Sequence, residues 1–213
     1  MFHRGRFVPY LLVLLLGVSA CCSEVSEATR QLEDQDPNVR EQGARRLAES
    51  RDDTSKSLPQ LIRSLEDEDE TVRRYAANAL GDLGPGAKDA VPALVKRLED
   101  EDPSVRLVAA WSLANIDPAN PAPVGVLSKS AEEKTPRSIV ALGQLGPAAG
   151  EAVPALVRAL ESGNSLVQLQ AIKALGKIGP QAKSALPRLN RLAKSPHENL
   201  RTAARNAMAA IEN

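Results

Sequence analysis

The stretch Val72-Arg73-Arg74-Tyr75-Ala76-Ala77-Asn78-Ala79-Leu80-Gly81-Asp82-Leu83-Gly84-Pro85 decides the fold. Val72, Ala76, Ala79, Leu80 and Leu83 share one face at helical spacing. Gly84-Pro85 then stops the helix, glycine tolerating a left-handed cap and proline unable to continue. The pattern returns at a fixed interval. Leu47, Leu80 and Leu113 lie 33 residues apart, as do Leu142 and Leu175; Leu83 and Ile116 keep the same spacing, and so do Leu145, Ile178 and Ile211. Gly146-Pro147 and Gly179-Pro180 repeat the stop. A period in the 20–50 range means stacked supersecondary units, none able to bury its apolar face alone.

Working outward, six units appear, at about 25–57, 58–90, 91–123, 124–152, 153–185 and 186–213. Each reads as two helices. The first carries apolar residues as in Leu61, Ile62, Leu65 or Leu156, Val157, Leu160, with Pro59, Pro92, Pro154 and Pro187 near its start, where a missing N–H costs little. The fourth unit departs from the pattern: Ile116 to Leu145 is 29 residues rather than 33, and the loss falls at the start of the second helix. Four residues is close to one turn, so the apolar face stays in phase. A local bend or soft point is expected there, within a continuous solenoid. The first unit is atypical as well, with Ser50 where the later units carry an aliphatic residue, as befits a terminal cap.

Asp102-Pro103-Ser104-Val105-Arg106, followed by Ala109-Ala110 and Leu113, resembles HEAT repeats, and in particular the HEAT-like type named after phycobiliprotein lyases. The phrase is legible again in Val72-Arg73 with Ala76 to Gly81, and in Ala174 to Gly179. The resemblance implies an all-α fold, a right-handed α-α superhelix of about six helix pairs. It also implies that Asp36, Asp69 and Asp102 form a ladder with Arg40, Arg73 and Arg106 between neighbouring units. Aspartate at those positions suits an N-cap too. The ladder weakens later, where Gln168 and Arg201 follow Asn164 and His197. Repetition makes the fold legible but leaves function open, because such repeats serve unrelated roles.

The first twenty residues stand apart. Arg4 and Arg6 precede an apolar run from Phe7 to Val18, too short to span a bilayer as a helix and shaped like a secretory signal. Val18-Ser19-Ala20-Cys21 resembles the lipobox of bacterial lipoproteins, in which the cysteine sulfur carries diacylglycerol and cleavage precedes it. The alternative is an ordinary signal peptide cut near Ala20. The division expected is therefore 1–20 signal peptide, 21–26 lipidated Cys21 and short tether, and 27–213 repeat domain. An envelope location follows, outer membrane in a diderm cell because Cys22 is not aspartate. With a tether of about four residues, reaching at most about 14 Å, a membrane-proximal partner is expected.

Removal of 1–20 leaves 25 basic against 27 acidic residues. That balance makes a poor nucleic-acid binder, which needs clustered cations to neutralise phosphates. Aromatic content of 2% denies stacking platforms to single strands or sugars. After cleavage His197 is the only histidine, and serines such as Ser104 and Ser138 lack a plausible general base. No catalytic site, metal, cofactor or small-molecule substrate is expected. The lyases attach bilins in a cytoplasmic or plastid setting, which an exported chain does not share. Acidic runs at Glu33 to Asp36, Glu66 to Glu70 and Glu99 to Asp102 read as a solvated edge, or as a weak divalent-ion or basic-partner site.

The binding surface is sought on the second helices, which line the concave side in HEAT solenoids. Positions two and six beyond the repeat valine point away from the buried face. The first row reads Glu41, Arg74, Leu107, Leu169 and Thr202, and the second Arg45, Asn78, Trp111, Val140, Lys173 and Asn206. Leu107, Trp111 and Val140 make an apolar cluster rimmed by Arg74, Asn78 and Lys173, the composition of an interface hot spot. Alternatively Trp111 turns sideways and fills volume left by the shortened fourth unit. The chain is expected to be an envelope adaptor that binds another protein. Self-association is the alternative, with a lyase-like or regulatory subunit behind it.

Overall fold

A computed structural model describes residues 24–50 and 54–213. The signal segment 1–20 and Cys21 lie outside the described residues. A first helix, α1, covers 24–31, so residues 24–26, expected as tether, are already helical. Then follow α2 (Pro37–Glu49), α3 (Leu58–Ser64), α4 (Glu70–Asp82), α5 (Val91–Arg97), α6 (Pro103–Ile116), α7 (Val124–Glu132), α8 (Pro136–Leu145), α9 (Val153–Ala159), α10 (Ser165–Ile178), α11 (Leu186–Leu192) and α12 (Glu198–Glu212). No strand occurs among the described residues. The six helix pairs stack as expected: α2 packs on α4, α4 on α6, α8 on α10 and α10 on α12, while α7 lies against α9.

The anchors behave as their spacing demands. Leu80, Leu113, Leu142 and Leu175 of the second helices are fully buried, as are Leu61, Leu94, Leu127, Leu156 and Leu189 of the first. Prolines occupy the first turn of α3, α5, α9 and α11. Asp36, Asp69, Asp102 and Asn164 accept backbone N–H bonds from the first turn of α2, α4, α6 and α10. Thr135 and His197, at the matching positions, make no such cap.

Gly146 and Gly179 end their helices with φ of 55° and 73° and ψ of −129° and −140°. This is the mirror of extended backbone rather than the left-handed helical cap that the sequence suggests. It is accessible essentially to glycine alone, and it leads straight into the following proline. Beyond each Gly-Pro lies a 3-10 segment that the helix spacing does not reveal: Gly84–Ala90, Gly146–Ala152 and Gly179–Ala185. Alanines three apart, Ala87 with Ala90, Ala149 with Ala152 and Ala182 with Ala185, are buried in them, matching the period of that helix.

The second helices approach one another through small residues. A Cβ on Gly143 would lie 3.0 Å from Ala174 Cα, one on Gly176 3.1 Å from Ala207 Cα, and one on Gly81 2.5 Å from Ser112 Oγ. α8 has 10 residues against 14 in α6 and α10, the turn missing from the sequence. It touches α6 less extensively than the other second helices touch their neighbours. The buried side chains accordingly form two clusters, one from Ala28 to Ile116 and one from Ala110 to Ile211, and Trp111 packs against both. The apolar stretch Pro136–Ala159 is long enough to cross a membrane. It is broken at Gly146 and mostly buried within the solenoid, so it reads as core.

Candidate functional site

The arginine ladder is present, with different acids. Arg40 Nε donates to Asp67 Oδ2 at 2.7 Å and its Nη2 to Asp67 Oδ1 at 3.0 Å, while Nη1 reaches the carbonyls of Asp34 and Gln35. Arg73 repeats this on Asp100, at 2.9 and 2.8 Å, with Nη1 on the carbonyls of Asp67 and Glu68. The partners of Arg40 and Arg73 are therefore Asp67 and Asp100, two residues before the expected Asp69 and Asp102. Asp69 and Asp102 are occupied by their own helix N-termini, and Asp36 by Asn38. Arg106 keeps only the carbonyl contacts, to Asp100 and Glu101. The ladder thus fastens units one to three and stops where the fourth begins.

Arg73 and Asp100 are almost completely enclosed, with side-chain exposures of 5% and 1%. Burial works against the Asp100 carboxylate, but the hydrogen bonds from Arg73 and the Asp102 N–H, with the charges of Arg73 and Arg97, hold its pKa below the ordinary value. Hydrogen bonding to Asp67 raises Arg40 well above its ordinary range.

The six residues proposed as a hot spot divide into two groups. Arg74 lies over the Tyr75 ring at 5.1 Å, and Asn78 donates to Asp82 at 3.3 Å. Leu107 and Trp111 are half-buried. Trp111 Nε1 donates to Ser138 Oγ at 3.2 Å, Ser138 donates to Ser130 Oγ at 2.8 Å, and the Arg137 guanidinium sits 4.0 Å above the indole. Desolvation pushes Asp82 above the ordinary carboxylate value, with the nearby charge of Arg137 pulling the other way. These contacts support the packing alternative for Trp111: it closes the joint between units three and four, and its neighbours are satisfied within the chain.

Val140 and Lys173 take no part in these contacts. They line a groove of about 1120 Å³ that runs across α8, α10 and α12. Gly143 and Val140 form its α8 wall, and α10 supplies Leu169, Lys173 and Lys177. From α12 come Thr202, Asn206 and the alanines Ala203, Ala207 and Ala210, with Glu198 and Asn199 of its first turn and the preceding Pro196 and His197. Val140 is 39% exposed, a large apolar side chain open to solvent. Lys177 was not among the expected residues, yet it continues the two outward rows by one more turn, ten residues beyond Val167. Extending the rows would have found it. The alanine floor carries no such signal, since exposed and buried alanines look alike in sequence.

The family model for HEAT repeats matches residues 25–114, 58–140 and 126–209. No curated protein sequence shows significant similarity to the chain. Among solved structures, the complex of CpcE and CpcF of phycocyanin lyase from Nostoc sp. PCC7120 is similar at 28% identity and a TM-score of 0.58, over 89% of this chain and 77% of that one. A crystal structure of an engineered protein gives 25% identity and a TM-score of 0.69, over 89% and 96% of the two chains. A designed armadillo repeat protein in complex with the peptide (KR)4 gives 21% and 0.69, over 88% and 99%.

Proposed function

The chain belongs to the HEAT repeat family, and from that premise we propose a non-enzymatic adaptor that docks a protein partner in the groove across α8, α10 and α12, held at a bacterial envelope by lipid on Cys21. The open groove carries this reading, because it combines an exposed apolar wall at Val140 with lysines on one side and amide or hydroxyl groups on the other. That mixture suits a peptide or protein edge. Among the similar structures, one is a complex of two lyase subunits and another holds a peptide. With helix already present at residue 24, a lipid on Cys21 sets the first unit against the membrane surface and the groove at the far end of the solenoid. End-to-end self-assembly through α12 is disfavoured, because exposed Arg205 occupies the position where α8 and α10 bury Ile139 and Ile172.

A photo-reactive phenylalanine analogue placed at Val140 or Lys173 tests the docking site in intact envelopes. It should cross-link a discrete protein, whereas the same group at Arg188, on the opposite helix row, should not. Equal yields from both sides would remove the groove from the account. Palmitate labelling that persists in the Cys21→Ser variant would remove the anchor.

A further inference from the structure

Charge is divided along this chain. Residues 24–116 hold 20 acidic against 13 basic side chains, and residues 117–213 hold 7 against 12. The division shows at a single register of the second helices, which reads Glu49, Asp82, Asn115, Gln144 and Lys177 from unit one to unit five. The groove lies wholly in the basic half.

Its lysines are not held by acids in the way that several first-helix cations are. Four cations of the first helices pair with an acid one unit back: Arg63 with Glu33, Lys96 with Glu66, Arg158 with Glu132 and Arg188 with Glu161. Lys173 and Lys177 are exposed, sit four residues apart on one face of α10, and join no ion pair among the described residues. Glu198, in the first turn of α12, is the one acidic side chain lining the groove. Two unneutralised ammonium groups beside an apolar wall complement carboxylates interleaved with an aliphatic residue.

Resting on the docking role given above, we infer that the occupant of this groove is a short acidic-apolar segment of a partner protein, its carboxylates on Lys173 and Lys177 and its aliphatic side chain against Val140 and Leu169. The sign of the charge selects the partner, and the apolar wall holds it. The other candidate for such a cationic site, an anionic lipid surface, is flat and does not use a recessed alanine floor.

Fluorescence anisotropy on the full chain in non-ionic detergent tests this with two labelled octapeptides, one alternating Leu with Glu and one alternating Leu with Lys. The Glu peptide should bind at least about tenfold more tightly at low salt, and the preference should shrink as salt shortens the Debye length from about 30 Å to about 3 Å. K173E/K177E should reverse the preference, while K183E/K194E, the same charge change away from the groove, should leave it intact. Equal binding of both peptides, or an equal effect of the two double variants, would overturn the inference. So would binding of phosphatidylglycerol vesicles that needs Lys173 and Lys177 while neither peptide binds. If the peptides show no preference but the cross-link at Val140 persists, only the acidic chemistry falls; if both are absent, the docking site falls with it.

Discussion

The Arg73 guanidinium bridges two units with three nitrogens, and its worth lies in what remains when one partner goes. Asp100→Ala would strand a cation that is 5% exposed, a loss of about 3–5 kcal/mol read from urea midpoints. Replacing both by apolar residues, as in Arg73→Met with Asp100→Leu, should cost less, the remainder being the loss to Arg97 and the Asp102 N–H, which also donate to Asp100. The pH dependence has a definite sign. Because the Asp100 pKa is lowered by folding, its stabilisation is complete above the unfolded value of about 3.9 and disappears as pH falls through the lower folded value. Asp100→Asn should flatten the stability profile in that acid window and leave its slope near neutrality unchanged. Trp111→Ala should cost about 2–3 kcal/mol, below the range for fully enclosed aromatics, with partner binding preserved. The arginines of the ladder were legible in the sequence. Their acceptors were not, because each turn offers two aspartates and only hydrogen-bond geometry says which one caps the helix.

At the scale of elements, the shortened α8 governs. Its missing turn was visible as a 29-residue interval, and the structure turns that into a reduced contact with α6 and a core in two parts. Hydrogen exchange should therefore show α7 and α8 opening at lower free energy than α4 or α10, and protection as uniform along all second helices would contradict a soft joint. Close helix contacts give a second test. Gly143→Ala improves helix propensity by about 1 kcal/mol, yet its Cβ meets backbone of α10 at 3.0 Å. A net fall in melting temperature is expected, and Gly125→Ala, where a Cβ meets nothing within 4 Å, should raise it. The 3-10 segments escaped the sequence reading because their signal is two alanines three apart, shorter than any periodicity window.

For the whole molecule, period and anchors alone specify an all-helical solenoid, since each repeat states the same burial pattern. Which part of the second-helix face stays open is a different matter. It depends on which polar groups find partners inside the chain: Asn78, Trp111 and Arg137 do, whereas Lys173 and Lys177 stand outside the ion pairs described. Two residues of the expected hot spot consequently line the groove, and the other four lie on α4 and α6. The measurement that bears most directly on the adaptor account is titration of the purified cross-linked partner against the intact chain and Val140→Asp/Leu169→Asp. The groove variant should lose at least about tenfold in affinity, the effect of about 1.4 kcal/mol, with unchanged binding by Arg188→Asp. Undiminished affinity in the groove variant, together with a native melting curve, would contradict it.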